Sequence, residues 1–408
     1  MSTDRNIVVI GGGPAGVWAA IGAKQQDPAA AVVLLTEEHC EPYEKPPLSK
    51  AVLLGKRVPG DALIAGPGGL AGHGVVLELL AQCAAVDRSA RAVTTMDGRR
   101  FPYDALVIAT GATVRDVPQL PPGMPRVHYL RTEGQARALQ ADLQACRHLL
   151  VIGGGLIGLE VAASAAELGV KVTVLEMLPR ILARVCDDET AAAVFAEHQR
   201  HDVDIRVGTG LADAAPQRDG RIAVTTTAGE GIAADLIVVG TGAKPDDRLA
   251  AAAGLAVDDG IVADEYCRTS DPAIFAAGDV VRFPGPHGPV RQENWRHAQD
   301  QGSVAGHNAA GAAETYAAVP SFWSEQYDLY IQGTGWRTSN PAARVRRPLP
   351  GKSMLMFEIA EGRLVYAMGI NAQRDLAIAR RLIERKTPVD IAALAEPEQP
   401  LAAMLKAK

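Results

Sequence analysis

The sequence predicts an α/β fold of two or three domains, and three observations support this class. The chain has 408 residues, more than one hydrophobic core accommodates, since domains average roughly 150 residues. A pattern of apolar strand, glycine-rich turn and helix begins at Gly11 and is repeated at Gly153. A further apolar strand that ends in Thr-Gly is also present twice. Alternating strands and helices are typical of a parallel sheet covered by helices.

The composition and charge of the chain exclude several classes of protein. Apolar residues make up 48% and charged residues 22%, as in soluble globular proteins, which excludes a disordered, collagen-like or coiled-coil chain. The net charge of −6 argues against a chain-wide surface for nucleic acid or an anionic membrane. With neither a leader pattern nor an apolar stretch of about 18 residues, we expect a cytoplasmic protein without a membrane or nucleic-acid partner.

The cysteines are few and widely separated. No two of them form a CxxC or similar pair, so the usual zinc frameworks and dithiol redox motifs are excluded. We therefore predict no metal site, and thiols that are small core residues in a reducing compartment. The five are Cys40, Cys83, Cys146, Cys186 and Cys267.

The first glycine-rich turn has the spacing of a dinucleotide-binding fingerprint. Gly11 permits the tight turn, Gly13 lets the backbone approach a pyrophosphate at the helix N-terminus, and Gly16 lets the helix lie close to the strand. The next apolar run leads to Glu37, 26 residues after Gly11. A carboxylate at this position accepts hydrogen bonds from ribose hydroxyls.

The second fingerprint runs through Gly153, Gly155 and Gly158, with Glu176 after the following strand. A carboxylate there binds a ribose 2′-hydroxyl and repels the 2′-phosphate of NADPH, so we predict NADH. Arg180 lies four residues further on and would suit that phosphate, which keeps NADPH open as an alternative. Two fingerprints in one chain predict two bound dinucleotides.

Three further strand ends indicate how the domains are connected. Thr110-Gly111 and Thr241-Gly242 each close a strand that leaves a nucleotide-binding unit, and Gly278-Asp279 closes a later strand. The Asp279 carboxylate would face the ribityl hydroxyls of a flavin. This order predicts two Rossmann-like dinucleotide-binding domains, one of them inserted in the other. The predicted boundaries are 1–112 with 246–320 for the outer domain, 113–245 for the inserted domain and 321–408 for a C-terminal domain.

Five segments besides the fingerprints carry a resemblance to a known family. They are PYEKPPLSK (42–50), YLRT (129–132), AGD (277–279), ENW (293–295) and FWSEQY (322–327). Over essentially its whole length the chain resembles the FAD-dependent NADH:ferredoxin reductases that serve Rieske-type aromatic-ring dioxygenases and bacterial cytochrome P450 systems. The resemblance implies a glutathione-reductase-like α/β fold, with the NAD domain (113–245) inserted in the FAD domain (1–112 and 246–320) and a C-terminal α+β domain (321–408) beside the flavin. It also implies FAD and NADH as cofactors and a place in aromatic hydrocarbon catabolism.

The resemblance also implies which residues contact each cofactor. Cys83 stands where the family usually has a valine whose backbone faces adenine, and Lys45 stands where the family often has arginine. The implied FAD contacts are Gly11, Gly13, Pro14, Ala15, Gly16, Glu37, Lys50, Cys83, Thr110, Gly111, Arg131, Asp279 and Trp295. The implied NAD contacts are Gly153, Gly155, Leu156, Ile157, Gly158, Glu176 and Gly242.

Lys50 and Glu160 are the predicted catalytic residues. Hydride transfer is the chemistry of the cofactors, so few side chains need react. The resemblance places the lysine near flavin N5 and the glutamate near the nicotinamide, where a Lys–Glu pair would favour a negatively charged reduced flavin. In the alternative, Glu160 interacts only with the positive end of its own helix.

The cysteine positions indicate how electrons leave the protein. Cys40 lies three residues beyond Glu37, and Pro47 occupies the place where the resemblance puts the reactive thiol of related peroxidases. We therefore expect electrons to leave the flavin directly, which matches a one-electron acceptor such as a [2Fe-2S] ferredoxin. Two alternatives stay open: a reductase of rubredoxin, a quinone or the monodehydroascorbate radical, and an NADH-sensing interaction protein like apoptosis-inducing factor.

The C-terminal region is the basic part of the chain. Residues 321–408 contain 13 basic and 9 acidic residues, although the whole chain is acidic. Arg344, Arg346 and Arg347 are predicted to form a patch on which an acidic ferredoxin docks, because complementary charge raises association rates. The alternative is an ordinary solvated basic face.

Overall fold

The computed structural model describes residues 5–406, which divide into two compact units. Unit 1 consists of the residues up to 44, 60–113 and 243–318, and unit 2 consists of 45–59, 114–242 and the residues from 319 onward. Residues 1–4 and 407–408 of the predicted terminal domains lie outside the described residues. One unit therefore interrupts the other in sequence, as the order of the strand ends predicts.

The helices and strands are numbered in chain order. The helices are α1 (Pro14–Gln26), α2 (Glu133–Leu143), α3 (Leu156–Glu167), α4 (Asp188–Arg200), α5 (Arg248–Ala252), α6 (Trp295–Ala309), α7 (Gln373–Glu384) and α8 (Ile391–Ala395), with short 3-10 helices at Pro46–Ser49, Pro59–Asp61, Ala71–His73 and Leu401–Lys406. The strands are β1 (Asn6–Ile10), β2 (Ala31–Leu35), β3 (Val76–Glu78), β4 (Cys83–Asp87), β5 (Ala92–Thr95), β6 (Arg100–Pro102), β7 (Ala105–Ile108), β8 (Ala112–Val114), β9 (Val127–Tyr129), β10 (His148–Ile152), β11 (Lys171–Glu176), β12 (Asp204–Val207), β13 (Leu211–Pro216), β14 (Ile222–Thr226), β15 (Gly231–Ala234), β16 (Leu236–Val239), β17 (Ala243–Pro245), β18 (Ile261–Val262), β19 (Ile274–Ala276), β20 (Val281–Gly285), β21 (Gly288–Arg291), β22 (Ser321–Gln326), β23 (Leu329–Gly335), β24 (Ala343–Pro348), β25 (Met354–Ala360) and β26 (Arg363–Ile370).

Unit 1 is built on a five-stranded parallel sheet with the order β19-β7-β1-β2-β3. The central strand β1 is apolar and buried from Ile7 to Ile10, which a parallel sheet covered on both faces requires. Helix α6 lies close along α1, because Gly302 and Gly306 bring its backbone against that of Ala15 and Ala19. The first fingerprint lies between β1 and α1, at the carboxyl end of the central strand.

Unit 2 contains a second five-stranded parallel sheet, in the order β12-β11-β10-β16-β9. Its central strand β10 pairs with β11 and β16, as β1 pairs with β2 and β7. The same unit contains a five-stranded antiparallel sheet, β22-β23-β26-β25-β24. Helix α7 covers that sheet with Leu376, Ala379 and Leu382. The 3-10 helix Pro46–Ser49 packs on α3, so the segment with Lys50 belongs to unit 2.

The predicted fold class is confirmed, because two parallel sheets of the dinucleotide-binding type and a C-terminal α+β region are present. The compact units differ from the predicted domain boundaries in two ways. Residues 45–59 group with unit 2, and the predicted NAD and C-terminal domains form one unit. The division into three domains stays a prediction. In the described part of the chain, no helix has the length and hydropathy needed to cross a membrane.

Candidate active site

The first fingerprint has no room for side chains at two of its glycines. Gly11 has a φ of +114°, and a Cβ there would collide with the carbonyl oxygen of Ala109. A Cβ at Gly16 would collide with the carbonyl oxygen of Gly11, so the helix lies directly on the turn. At Gly13 the space around a Cβ is open, with no atom within 4 Å. The backbone at Gly13 is therefore accessible at the start of α1.

The second fingerprint repeats this geometry. Gly153 has a φ of +109°, and a Cβ there would meet the carbonyl oxygen of Gly240. A Cβ at Gly158 would collide with Gly153, whereas Gly155 has no atom within 4 Å of its Cβ position. The predicted roles of tight turn, open approach and close packing therefore match the space at each glycine.

Both fingerprint helices begin without a side-chain cap. The N-cap residues of α1 and α3 are Gly13 and Gly155, which have no side chain to accept from the first backbone N–H groups. Helices α2, α4 and α6 begin instead at Thr132, Asp187 and Asn294, whose side chains accept such bonds. Uncapped N–H groups at a helix start favour an anion. This arrangement fits the pyrophosphates of two dinucleotides.

The acid of the first fingerprint, Glu37, is exposed and lies near Cys83. Burial, and then the charge of Glu37, raises the pKa of Cys83 to about 12. The thiol is therefore protonated at neutral pH, as expected for a residue whose backbone rather than sulfur would face a ligand.

The acid of the second fingerprint is held by backbone groups. Glu176 accepts hydrogen bonds from the N–H of Gly154 and from the N–H of Leu178, both at 2.7 Å. Arg180, the alternative phosphate ligand, forms an ion pair with Asp188 at 2.7 Å. Its guanidinium also donates to three nearby carbonyl oxygens. The fixed carboxylate and the engaged arginine favour a 2′-hydroxyl over a 2′-phosphate at this position.

The predicted FAD residues of unit 1 come from several parts of that unit. Gly278 packs against Ala15 of the first fingerprint, because a Cβ added to Gly278 would lie 2.7 Å from the Cβ of Ala15. The next residue, Asp279, is therefore close to that fingerprint. Trp295 is half-buried at the start of α6. Thr110 donates to the carbonyl oxygen of Asp246 at 2.7 Å. The unit 1 set is Gly11, Gly13, Pro14, Ala15, Gly16, Glu37, Cys83, Thr110, Gly111, Asp279 and Trp295, and the unit 2 members are Lys50 and Arg131.

The predicted NAD residues all lie in unit 2. Leu156 and Ile157 form the first turn of α3, and 48% of Ile157 is exposed. Gly242 is exposed with a φ of +100° just before the chain returns to unit 1. Ile157 therefore leaves apolar surface at the uncapped start of α3, which a ligand could cover.

Lys50 and Glu160 form the ion pair that the sequence analysis predicts. The Lys50 Nζ lies 3.2 Å from Glu160 Oε2, and Glu160 is only 5% exposed. Ser49 Oγ donates to the same carboxylate oxygen. Ser324 Oγ donates to the other oxygen, Oε1, at 2.6 Å. The alternative, in which Glu160 interacts only with its own helix, does not describe this carboxylate.

Two serines of this site were missed by sequence reasoning. Ser49 ends the 3-10 helix that begins with Pro46, and its carbonyl oxygen accepts a bond from Ser164 at 2.9 Å. Ser324 lies on β22, far from Glu160 in sequence. Both serines belong to segments that carry the family resemblance, which was the available signal. The segments do not show that both serines donate to the carboxylate of Glu160.

The cysteines do not provide a redox pair. All five are free thiols. Burial is the main cause that raises the pKa of Cys146 to about 11 and that of Cys186 to about 12, and it also raises the pKa of Cys267. Electron exit through a disulfide therefore has no support in this chain.

The predicted basic patch needs one correction, because Arg347 is not on the surface. It is 2% exposed, and its guanidinium donates to the carbonyl oxygens of Leu394, Pro397 and Gln399. The other two arginines have side chains that are more than half exposed. Arg344 lies 3.5 Å from Glu358, and Arg346 lies 3.1 Å from Glu189. Adjacent residues of a strand point to opposite faces, so Arg347 lies on the buried face of β24 and cannot share a patch with Arg344 and Arg346.

Two family models match most of the chain. The model described as pyridine nucleotide-disulphide oxidoreductase matches residues 5–302, and the model described as reductase C-terminal matches residues 321–405. The chain belongs to the pyridine nucleotide-disulphide oxidoreductase family. This family and the NAD-dependent ferredoxin reductases among its relatives make the chain an oxidoreductase that uses FAD and NADH, in agreement with the two uncapped, glycine-lined helix starts.

Named relatives resemble the chain over nearly its full length. Rhodocoxin reductase from Rhodococcus erythropolis is 37% identical over 387 residues, which cover 94% of this chain and 90% of the relative. The ferredoxin–NAD(+) reductase component of the anthranilate 1,2-dioxygenase system from Burkholderia cepacia is 37% identical over 402 residues, with 97% and 98% covered. The crystal structure of the covalent putidaredoxin reductase–putidaredoxin complex matches with 32% identity and a TM-score of 0.92, with 98% of each chain covered. The resemblance to ferredoxin reductases is therefore confirmed.

Proposed function

We propose that this protein is a cytoplasmic enzyme that takes a hydride from NADH onto FAD and passes single electrons to a [2Fe-2S] ferredoxin that feeds an oxygenase. The observation that carries the proposal is the buried Lys50–Glu160 ion pair, in a chain with two uncapped fingerprint helices. Bound FAD supplies the conversion from a two-electron donor to a one-electron acceptor. The named relatives of this chain are reductases of the same kind.

The residues of the chain bind and orient the cofactors in this proposal. The open backbone at Gly13 and at Gly155 would bind the two pyrophosphates, since both helix starts offer free N–H groups. Glu37 and Glu176 would accept bonds from ribose hydroxyls. Lys50 would contact the flavin, and Glu160 would hold the ammonium group of Lys50 in position.

Ferredoxin would dock on the basic C-terminal region, at Arg344 and Arg346. Both side chains are more than half exposed, and each lies more than 3 Å from its acidic partner. The Arg346–Glu189 pair is exposed on both sides, and such pairs contribute little stability and can exchange partners, whereas Arg344 pairs with a carboxylate that is only 5% exposed. We expect the double reversal Arg344→Glu/Arg346→Glu to raise the ferredoxin KM and flatten its salt dependence, while NADH-to-dye activity is retained. Arg363→Glu, an exposed arginine of the same sheet, is the matched control, and an unchanged ferredoxin KM in the double variant would remove this docking site.

The test of the function is electron flow through a defined carrier. FAD-loaded enzyme with NADH should reduce cytochrome c rapidly only after a [2Fe-2S] ferredoxin is added. Rubredoxin, a quinone or the monodehydroascorbate radical as the faster acceptor would identify a different reductase. Slow reoxidation by every carrier, with a change in oligomeric state on NADH addition, would indicate an NADH-sensing protein instead.

A further inference from the structure

A buried chain of polar side chains leads away from the Lys50–Glu160 pair within unit 2. Ser324 Oγ donates to Glu160 Oε1 at 2.6 Å and accepts from Gln326 Nε2 at 3.1 Å. Gln326 Oε1 lies 2.9 Å from His198 Nε2, and His198 Nδ1 lies 3.2 Å from the hydroxyl of Tyr327. Ser324, Gln326 and His198 are each at most 1% exposed. The bonds that join Glu160, Ser324, Gln326 and His198 are therefore shielded from water, and Tyr327 is partly exposed at the far end.

The donor and acceptor roles in this chain are fixed by chemistry. A carboxylate has only acceptor atoms, so Ser324 must donate to Glu160, and its lone pair then accepts from the amide N–H of Gln326. The amide oxygen of Gln326 accepts, so His198 carries its proton on Nε2 and accepts at Nδ1 from Tyr327. Every donor therefore points toward the carboxylate.

The protonation state of His198 agrees with this direction. Burial is the main cause that lowers the pKa of His198 to about 4. At neutral pH the ring therefore has one N–H and one lone pair, which the two bonds use. Aligned hydrogen bonds polarise one another and strengthen the last bond, here the one to Glu160.

We infer that Ser324 is a positioning residue for the flavin site, which orients Glu160 and through it Lys50, and that Gln326 and His198 fix the hydroxyl of Ser324 for this task. The inference rests on the proposed role of the Lys50–Glu160 pair. It assigns to the C-terminal region a part in hydride transfer in addition to ferredoxin docking. A proton relay is excluded, because the Gln326 amide donates and accepts through different atoms and cannot pass a proton along.

The test is a double-mutant cycle on the FAD-loaded enzyme with Ser324→Ala, Glu160→Gln and the combined variant. Stopped-flow reduction by NADH and a redox titration of the flavin midpoint potential are the two measurements. Ser324→Ala should slow flavin reduction about tenfold, with the KM for NADH unchanged within about twofold, because a bond to a charged group is lost. It should also lower the midpoint potential, since Lys50 is held less firmly. In the Glu160→Gln background both effects should disappear, because coupled residues are not additive.

Two variants accompany the cycle. Ser321→Ala removes a hydroxyl from the same strand and is the matched control, which Ser324→Ala must exceed in both measurements. Gln326→Met keeps Ser324 but removes the amide N–H that donates to its hydroxyl. It should slow flavin reduction about threefold and lower the midpoint potential, as Ser324→Ala does. If Ser324→Ala does not yield FAD-loaded enzyme, Gln326→Met provides the same test with the serine retained.

The outcomes separate this inference from the proposed function. If Glu160→Gln leaves flavin reduction unchanged, the proposed role of the ion pair fails and the inference fails with it. If Glu160→Gln is impaired but Ser324→Ala and Gln326→Met match Ser321→Ala, the inference is overturned and the proposed function stands. Additive effects of Ser324→Ala and Glu160→Gln would show a merely structural role for the serine and would also overturn it.

Discussion

The two fingerprints of this chain have the same glycine geometry, but their acids differ. Gly11 and Gly153 have φ values within a few degrees of each other, +114° and +109°. Their N–H groups donate to equivalent strand residues, Leu35 at 2.9 Å and Leu175 at 2.8 Å. The turns and the strands beside them are therefore in the same register.

The residue after the leucine that accepts this bond is not equivalent in the two repeats. Thr36 follows Leu35, whereas Glu176 follows Leu175, so the acid of the first repeat, Glu37, lies one residue later. Glu176 binds the N–H of Gly154, while Glu37 is exposed. A shift of one residue on a strand reverses the direction of a side chain. Two acids with the same predicted role therefore have different surroundings, since Glu176 is held by backbone N–H groups and Glu37 is exposed at the surface.

Substitution of the first glycine of each repeat should have the strongest effect on cofactor binding. Gly11→Ala should weaken FAD binding more than about 100-fold, because alanine disfavours the positive φ and its Cβ collides with backbone. Gly153→Ala should instead leave FAD bound and raise the KM for NADH strongly. Flavin absorbance after purification and steady-state kinetics measure the two effects. Gly134→Ala, where no atom lies within 4 Å of the Cβ position, is the control, and loss of FAD from Gly153→Ala would contradict the assignment.

The second test concerns the helix that follows each turn. The position seven residues beyond the first glycine is Trp18 in the first repeat and Glu160 in the second. Glu160→Gln should slow flavin reduction by NADH about 30-fold, since a neutral amide orients Lys50 less strongly than a carboxylate does. FAD content should be unchanged, and stopped-flow kinetics give the rate. A wild-type rate in this variant would mean that the pair has a structural role only.

The third test compares the two acids directly. Glu176→Gln should lower the kcat/KM preference for NADH over NADPH about tenfold, because the carboxylate no longer repels a 2′-phosphate. Glu37→Gln should leave this preference unchanged and weaken only FAD binding. Initial rates with both nucleotides give the ratio. A wild-type enzyme that prefers NADPH, or an equal shift of the preference in both variants, would contradict the different roles assigned to Glu176 and Glu37.

The smallest expected effect concerns the thiol beside Glu37. Because the Glu37 carboxylate raises the pKa of Cys83, Glu37→Gln should lower that pKa and speed alkylation of Cys83 at pH 9 about threefold. Burial is the larger cause, so the thiol should stay slow to react. Since the pKa of Cys83 in the folded protein lies above the ordinary thiol value of about 9, the stability contributed by the neutral thiol is present below pH 9 and is lost as the pH rises toward 12. Mass spectrometry of labelled peptides, with Cys83→Ala to assign the site, measures the rate.

Several features of the site could be predicted from the sequence because they depend on residues close together in the chain. The glycine spacing specifies a tight turn, an open helix start and close packing, and the structure has all three at Gly11 to Gly16. The Lys50–Glu160 pair was predicted from the resemblance and is present. The anchoring of Glu176 was not predicted, since it depends on which way a strand-end side chain points.

The fold class and the two dinucleotide fingerprints could be read from the amino-acid sequence, because they follow from local patterns of glycine and apolar residues. The family could be read from five further short segments. The long-range polar contacts, by contrast, depend on the three-dimensional fold. It placed Ser324 on the carboxylate of Glu160, and it buried Arg347 on carbonyl oxygens instead of exposing it in a basic patch. The physical reason is that a hydrogen bond depends on distance and direction between atoms. Residues more than 100 positions apart in the chain obtain both only from the packing of strands and helices.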